Sequence, residues 1–469
     1  MNNVLVVGDG AVAQRLAERM RHHGHEGTLT TLVTDPETSR RRPSSQPGAT
    51  APYALDAFGT PCPAPTLIHP TAAVTALDRG QRRVLAHMNG ATTAYSYDTL
   101  VLAPQARPLI PGIPGLVSAE GDLTEGVVAL GTSFPEVRIT SDTVVVLGEG
   151  ALAVETASTL SAQGVDTTLV CASPHPLQAR LGDICGAMLS EKLERAGITV
   201  LGGRTAVRRE PGHLLLEDGT ALRAGTLMLC TGAVPDTRLA LDAGLNVHNG
   251  IVVDDRLRTS DPQVYAIGDC AEYDGHVMAG PRAAWEQAEA LAEILTCRAG
   301  SYRPRPSALR LRTEAADVLT IGSLTDLRRP GTRLISLTDQ FGRRYARLAL
   351  HDERVVAAVL LGLPRAIATI GLLHRLGQRL PSDRLGLLLD LPPEPTSQGT
   401  EENNDPPVCL CNNVSKQTLF QAWRAGSRTV TELAGRTRAT TGCGGCSRSV
   451  AELCGVWARE TRSEVEKAA

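Results

Sequence analysis

Four cysteines near the C-terminal end of this 469-residue chain come as two tight pairs. Val408-Cys409-Leu410-Cys411-Asn412-Asn413 holds a C-x-C pair, and Thr441-Gly442-Cys443-Gly444-Gly445-Cys446 holds a C-x-x-C pair. Each pair can reach one metal centre from a single loop, so the four thiolates together can surround one ion or cluster. Thiolates are the ligands that iron–sulfur clusters require and that zinc accepts. The spacing alone leaves both open, although structural zinc more often uses two C-x-x-C pairs.

The elements that must hold these loops are legible beside them. Ser415 can cap a short helix that Gly426 ends, and Thr429 with Glu432 forms a capping box for a second helix. Cys446 leads into a third. The cysteine loops then lie before the first helix and between the last two, in a small helical domain over 408–460. Upstream, Pro392–Pro407 is acidic, amide-rich and proline-rich with almost no apolar side chain, and 386–407 reads as a linker. Cys62, Cys171, Cys185, Cys230, Cys270 and Cys297 stand singly and read as small buried hydrophobes. Cys454, Trp285 and Trp423 read as packing residues.

A second chemistry is written in glycines. The apolar strand Asn3–Val7 runs into Gly8-Asp9-Gly10-Ala11-Val12-Ala13 and a helical pattern through Arg21. The first glycine permits a tight turn, and the second lets backbone approach a pyrophosphate seated on the helix N-terminus. The small Ala13 lets the helix close on the sheet. The next strand, Leu29–Val33, leads to Asp35, placed to bond ribose hydroxyls. The theme repeats at Asp142–Leu147, followed by Gly148-Glu149-Gly150-Ala151-Leu152-Ala153-Val154-Glu155 and a helix through Gln163. Two such units in one chain are much stronger evidence for dinucleotide binding than one. The strand Asp166–Val170 leads to Cys171-Ala172-Ser173, where an acid would select NADH. No arginine stands there for a 2′-phosphate, so these residues leave NADH and NADPH open.

Further strands are expected at Tyr97–Ala103, Ile198–Leu201, Thr226–Cys230 and Val264–Ile267, with helices over Asp183–Ala196 and from Trp285 to Leu295. Asp218-Gly219 marks a hairpin turn. Arg40–Pro65 is irregular and reads as a surface excursion. The alternating stretch 309–361, with a helix after Pro364, indicates a smaller α+β domain. A chain of this length is too long for one core. The expected fold class is therefore α/β, with two Rossmann-like three-layer domains, a small α+β domain and a small helical domain. The first nucleotide fold is expected at 1–112 with 235–300, the second at 113–234, and the α+β domain at 301–385. A net charge of −3 gives no reason to expect nucleic acid or an anionic membrane as partner. No apolar run is long enough for a bilayer, and the N-terminus reads as strand–turn–helix and not as a signal peptide. With 11 cysteines, an odd number, and no export signal, the expected compartment is the reducing cytoplasm.

In order along the chain come GDGAVA, YDTLVLA, VVVLGEGALAVETA, LCTGAVPDT, VYAIGDCAE and AAWEQAEALAEIL. With these pieces residues 1–380 resemble the pyridine nucleotide–disulfide oxidoreductase superfamily. The branch is that of NAD(P)H-dependent flavoproteins such as nitrite reductase large subunits and rubredoxin and ferredoxin reductases. With VCLCNNVSK and TGCGGC, residues 408–457 resemble a bacterioferritin-associated-ferredoxin-type [2Fe-2S] domain. The resemblance implies FAD on Gly8, Gly10, Ala13, Asp35, Gly268 and Asp269, the last holding the ribityl chain. It implies NAD(P)H on Gly148, Gly150 and Ala153, with Glu155 near the nicotinamide, and a [2Fe-2S] cluster on Cys409, Cys411, Cys443 and Cys446. Arg107 and Gly232 complete the implied cofactor residues. One departure stands beside Arg107: the family's ATG stretch appears as Ala103-Pro104-Gln105, with a side chain where backbone should approach the flavin nucleotide.

The implied reaction is hydride transfer from nicotinamide to flavin, then single electrons to the cluster. Such transfer needs stacking and orientation, so no acid–base catalytic residue is expected. The flavin half has no C-x-x-C, which argues against disulfide reduction. The combination resembles electron-transfer subunits of bacterial assimilatory nitrate reductases and the front half of NAD(P)H nitrite reductase large subunits. It implies NADH or NADPH and a partner reductase for nitrate or nitrite. Two alternatives are a cluster-bearing redox or binding module with a degenerate flavin half, and the FAD subunit of an opine- or amine-oxidising complex. The second nucleotide fold counts against the latter.

Overall fold

Strands that are apolar on both faces belong in parallel sheets covered on both sides, and the described residues include two parallel five-stranded sheets. The computed structural model describes residues 3–8, 10–33, 66–69, 73–88, 90–131, 141–278, 280–296, 300–304, 308–389, 407–409, 414–440 and 446–468. Asp35, Cys62, Cys297, Cys411, Cys443, the Arg40–Pro65 excursion and the linker from 390 to 406 lie outside the described residues, the excursion's end at Pro65 included. Two compact units form, Met1–Leu109 with Leu130–Ser133 and Gly232–Arg305, and Ile110–Ala129 with Phe134–Thr231 and Pro306–Ala469.

In the first unit, β1 (Val4–Gly8), α1 (Gly10–His22), β2 (Leu29–Val33) and β3 (Thr66–His69) are followed by a meander. That meander, β4 (Ala73–Asp78), β5 (Arg83–Met88) and β6 (Ala91–Ser96), is antiparallel, and β7 (Thr99–Ala103) follows it. The parallel sheet runs from the late strand Val264–Ala266 through β7, β1 and β2 to β3. On α1, Val12, Ala13, Leu16, Ala17 and Met20 are buried, the one-face spacing of an amphipathic helix. The late helix Pro281–Leu295 buries Ala284, Ala288, Leu291 and Ala292 in the same core, and an Arg15–Glu289 ion pair ties it to α1. Trp285 on this helix is 47% exposed, which corrects its expected role in packing.

The second unit repeats the plan with β8 (Val127–Ala129), β9 (Thr143–Leu147), α2 (Ala151–Ala162), β10 (Asp166–Cys171), α3 (Gln178–Arg195), β11 (Ile198–Gly202) and β12 (Thr226–Leu229). The sheet order is β11-β10-β9-β12-β8, all parallel. α3 starts earlier than its sequence pattern indicates, because Gly182 (φ 72, ψ 177) breaks the helix before the regular part at Asp183. An antiparallel sheet, β13 (Ala308–Arg312), β14 (Asp317–Ile321), β15 (Arg333–Asp339), β16 (Arg344–His351) and β17 (Arg354–Leu361), then packs one face on α4 (Pro364–Leu376). The short helix Arg384–Leu388 adds Leu388 to this core, so buried structure continues past residue 385.

At the C-terminal end, β18 (Pro407–Cys409) and β19 (Val414–Ser415) form a hairpin before α5 (Lys416–Arg424), α6 (Val430–Thr437) and α7 (Ser447–Ala468). Both expected caps form. Ser415 accepts from the Thr418 N–H, and Thr429 with Glu432 makes the reciprocal capping box. Among the described residues no helix is long and apolar enough to cross a membrane.

Candidate cofactor sites

The first fingerprint sits at the carboxyl edge of the first parallel sheet. β1 ends on Gly8, whose φ is +138° and whose added Cβ would stand 2.0 Å from the Ala103 carbonyl oxygen. Only glycine fits there, so the end of β1 lies directly against the end of β7. Ala13 is buried one turn into α1. Two strands away on the same edge, Val264–Ala266 leads into a single 3₁₀ turn, Gly268–Cys270. Gly268 (φ +81°) donates its N–H to Gln287 Oε1 at 2.6 Å. Asp269 Oδ1 accepts from the Gly280 N–H at 2.7 Å, and Gly280 is the uncapped start of the Pro281–Leu295 helix. The sheet thus brings Gly8, Ala13, Gly268 and Asp269 to one edge, the place where such folds seat ligands. Gly10 opens α1. Gln105 follows β7 on that edge, half-buried.

Arg107 and Gly232 lie on a different feature. The ribbon Arg107–Pro108 pairs antiparallel with Ala233–Val234, and Gly232 (φ +112°) accepts the Leu109 N–H at 2.9 Å. The half-exposed Arg107 side chain pairs with Asp236 at 3.6 Å. Arg238 shares that carboxylate at 2.8 Å.

The second unit repeats the glycine device. Gly148 has φ +151°, and a Cβ there would come within 2.2 Å of the Cys230 carbonyl oxygen. Gly150 caps α2 without a side chain, and a Cβ there would meet nothing within 4 Å. The N-terminus of a 12-residue helix therefore faces open space, the arrangement that seats a pyrophosphate. Ala153 is fully buried behind it. Glu155 lies partly buried on the next turn, and burial raises its carboxyl pKa.

The buried single thiols are not poised for chemistry. Burial pushes Cys171 and Cys185 up to about 12, Cys230 up to about 11, and Cys270 higher still. Protonated thiols of this kind are poor nucleophiles.

In the C-terminal domain, Cys409 ends β18 and Cys446 immediately precedes α7. Both are buried, in one core with Val414, Leu419, Trp423, Leu433, Val450 and Trp457. Trp423 and Trp457 pack at 5.7 Å between ring centroids, with the Arg428 guanidinium 4.9 Å from the Trp423 centroid. Cys409 pairs with Val414 between β18 and β19, and both lie in that core. Arg438 and Thr440, both with positive φ, end the described segment that follows α6. Two thiols anchored in a common core, each with a second cysteine two or three positions away in sequence, are a donor set that fits a four-thiolate cluster. Cys454 is only partly buried against this core.

Comparisons with known proteins agree with this geometry. The family model for pyridine nucleotide-disulphide oxidoreductases matches residues 2–288, and the BFD-like [2Fe-2S] binding domain matches 407–454. The large subunit of nitrite reductase [NAD(P)H] from Klebsiella oxytoca is 30% identical over 405 residues, 84% of this chain and 42% of that protein. The assimilatory nitrate reductase electron transfer subunit of Bacillus subtilis (strain 168) is 27% identical over 389 residues, 81% of this chain and 49% of that one. The chain thus spans less than half the length of these relatives. The covalent putidaredoxin reductase–putidaredoxin complex shares the fold, with TM-score 0.62 at 22% identity over 82% of this chain and 95% of that one. The chain belongs to the pyridine nucleotide-disulphide oxidoreductases: it is an NAD(P)H-dependent flavoprotein oxidoreductase with a [2Fe-2S] domain.

Proposed function

We propose that the chain passes electrons from NAD(P)H through FAD to its [2Fe-2S] cluster and on to a partner reductase in nitrate or nitrite assimilation. One observation carries this reading. Two parallel sheets, each ending on a glycine that admits no side chain, share a chain with Cys409 and Cys446 in one buried core. FAD supplies the conversion between a two-electron hydride donor and single electrons. The chain's own residues bind and orient. Gly8, Gly10, Ala13, Asp35, Gly268 and Asp269 hold the flavin nucleotide, with Arg107 and Gly232 on the ribbon that returns the chain to this unit. Gly148, Gly150, Ala153 and Glu155 hold the nicotinamide nucleotide. Cys409, Cys411, Cys443 and Cys446 hold the cluster. The names of the nitrite and nitrate reductase relatives support the assignment to nitrogen assimilation.

An anaerobic absorption spectrum before and after adding NADH or NADPH tests the route. Flavin bands that bleach, followed by loss of the cluster's visible absorption, are expected. A flavin-free protein that carries zinc overturns the reading.

A further inference from the structure

The second nucleotide fold carries an acid in an unusual place. In dinucleotide-binding folds an acid at the end of the second strand bonds the ribose diol of NAD, and an arginine there accommodates the 2′-phosphate of NADP. Here that strand, β10, ends in a buried Cys171 followed by Ala172 and Ser173, and none offers a carboxylate. Glu149, between the two fingerprint glycines, fills the gap. Its Oε2 accepts the Ser173 backbone N–H at 2.9 Å, and its carbonyl oxygen accepts the Leu177 N–H at 2.8 Å. The glycine loop is thereby tied twice to the segment after β10, with an exposed carboxylate at the carboxyl end of that strand. Its second oxygen, Oε1, accepts no hydrogen bond among the described residues. The neighbouring Arg204 bonds the Cys171 carbonyl through its backbone N–H, but its guanidinium is committed to Asp218 at 2.9 Å.

We propose that Glu149 is the specificity-determining carboxylate of the nicotinamide nucleotide site and makes this chain an NADH enzyme. A ribose 2′-hydroxyl can donate to a carboxylate oxygen, whereas a 2′-phosphate brings like charge against it. The proposal rests on the second fold being the nicotinamide nucleotide site. It replaces the strand-end acid with one that reaches over from the glycine loop.

The test is calorimetric titration of the holoenzyme with ADP-ribose and with 2′-phospho-ADP-ribose, neither of which can be turned over. Wild type is expected to bind ADP-ribose about tenfold or more tightly, the scale of one charged hydrogen bond. Glu149→Gln, with flavin content unchanged, should narrow that ratio at least about fivefold by gaining affinity for the 2′-phosphate form. The NADH-to-NADPH ratio of kcat/KM should narrow with it, through KM more than kcat. Wild type binding both ligands alike, or a ratio that Glu149→Gln leaves unmoved, overturns the role of Glu149 alone. If neither ligand binds and neither nucleotide bleaches the flavin, the nicotinamide site reading falls and takes this proposal with it.

Discussion

Cys409 and Cys446 are buried deeply enough that their replacement by serine costs the domain its donors without exposing the core. Either Cys409→Ser or Cys446→Ser should strip iron and visible cluster absorption from the protein, while NADH still bleaches the flavin. Cys454→Ser should leave iron unchanged, since Cys454 only packs against that core. Iron analysis beside the spectrum separates the cases, and full iron in Cys446→Ser contradicts the ligand assignment. Glu155 supplies a second prediction, in pH. Burial raises its carboxyl pKa from the ordinary 4.5. A raised folded-state pKa means that the associated stability is full below 4.5 and is lost as pH rises through the folded value. Ionised Glu155 therefore costs stability at neutral pH, so Glu155→Gln should melt higher than wild type at pH 7.5, with the gain shrinking toward pH 4.5. A lower melting temperature at pH 7.5 contradicts this. At this scale Gly8 and Gly148 were legible because close backbone approach dictates their type. The role of Glu149 was not, because the fingerprint leaves that position unrestricted and only the Ser173 contact marks it.

The two glycines of the second fingerprint act on different links, one on folding and one on binding. Gly148→Ala would drive a Cβ to 2.2 Å from the Cys230 carbonyl oxygen at a backbone φ of +151°. Strain and overpacking together should cost about 2–5 kcal/mol. Gly150 has φ −81° and open space beside it. Gly150→Ala should change stability by less than about 0.5 kcal/mol, as ordinary surface substitutions do, yet weaken ADP-ribose binding by crowding the helix N-terminus. Denaturant melts and titrations of both variants decide it, and equal effects of the two on stability contradict the division. In the cluster domain, Thr429→Ala removes one half of a capping box and should cost about 1 kcal/mol. The element scale was the most legible in the sequence. β1, β7 and β9 read directly as apolar runs, because strands buried on both faces cannot hide among polar residues. By contrast, β2 and β10 each carry a threonine pair and are placed by their neighbours in the pattern. The β4–β6 meander escaped, since β6 is exposed at nearly every position and carries little pattern. The start of α3 escaped because Gly182 splits its period.

For the whole molecule the informative quantity is where its charge lies. The chain has 47 Lys and Arg against 50 Asp and Glu, and a net charge of −3 suggests an indifferent surface. From residue 408 onward, however, nine Lys and Arg meet five Asp and Glu, which leaves 38 against 45 upstream. The cluster domain thus has an excess of four positive charges and the rest an excess of seven negative ones. Lys416, Arg424, Arg428, Arg436, Arg438 and Arg459 are all exposed. Charges of one sign on a delivering surface steer partners of the other sign, and salt weakens that steering over a Debye length of about 10 Å at 0.1 M. Electron delivery to an acidic one-electron acceptor, such as a rubredoxin, should therefore quicken about tenfold as salt falls from about 0.5 M to about 0.02 M. Delivery to the basic cytochrome c should slow or stay level over the same range. Bleaching of the flavin by NADH in the same samples reports the upstream step and should vary much less. Faster cytochrome c reduction at low salt, with the acidic acceptor indifferent, would show that electrons leave from the acidic part of the chain and not through the cluster domain.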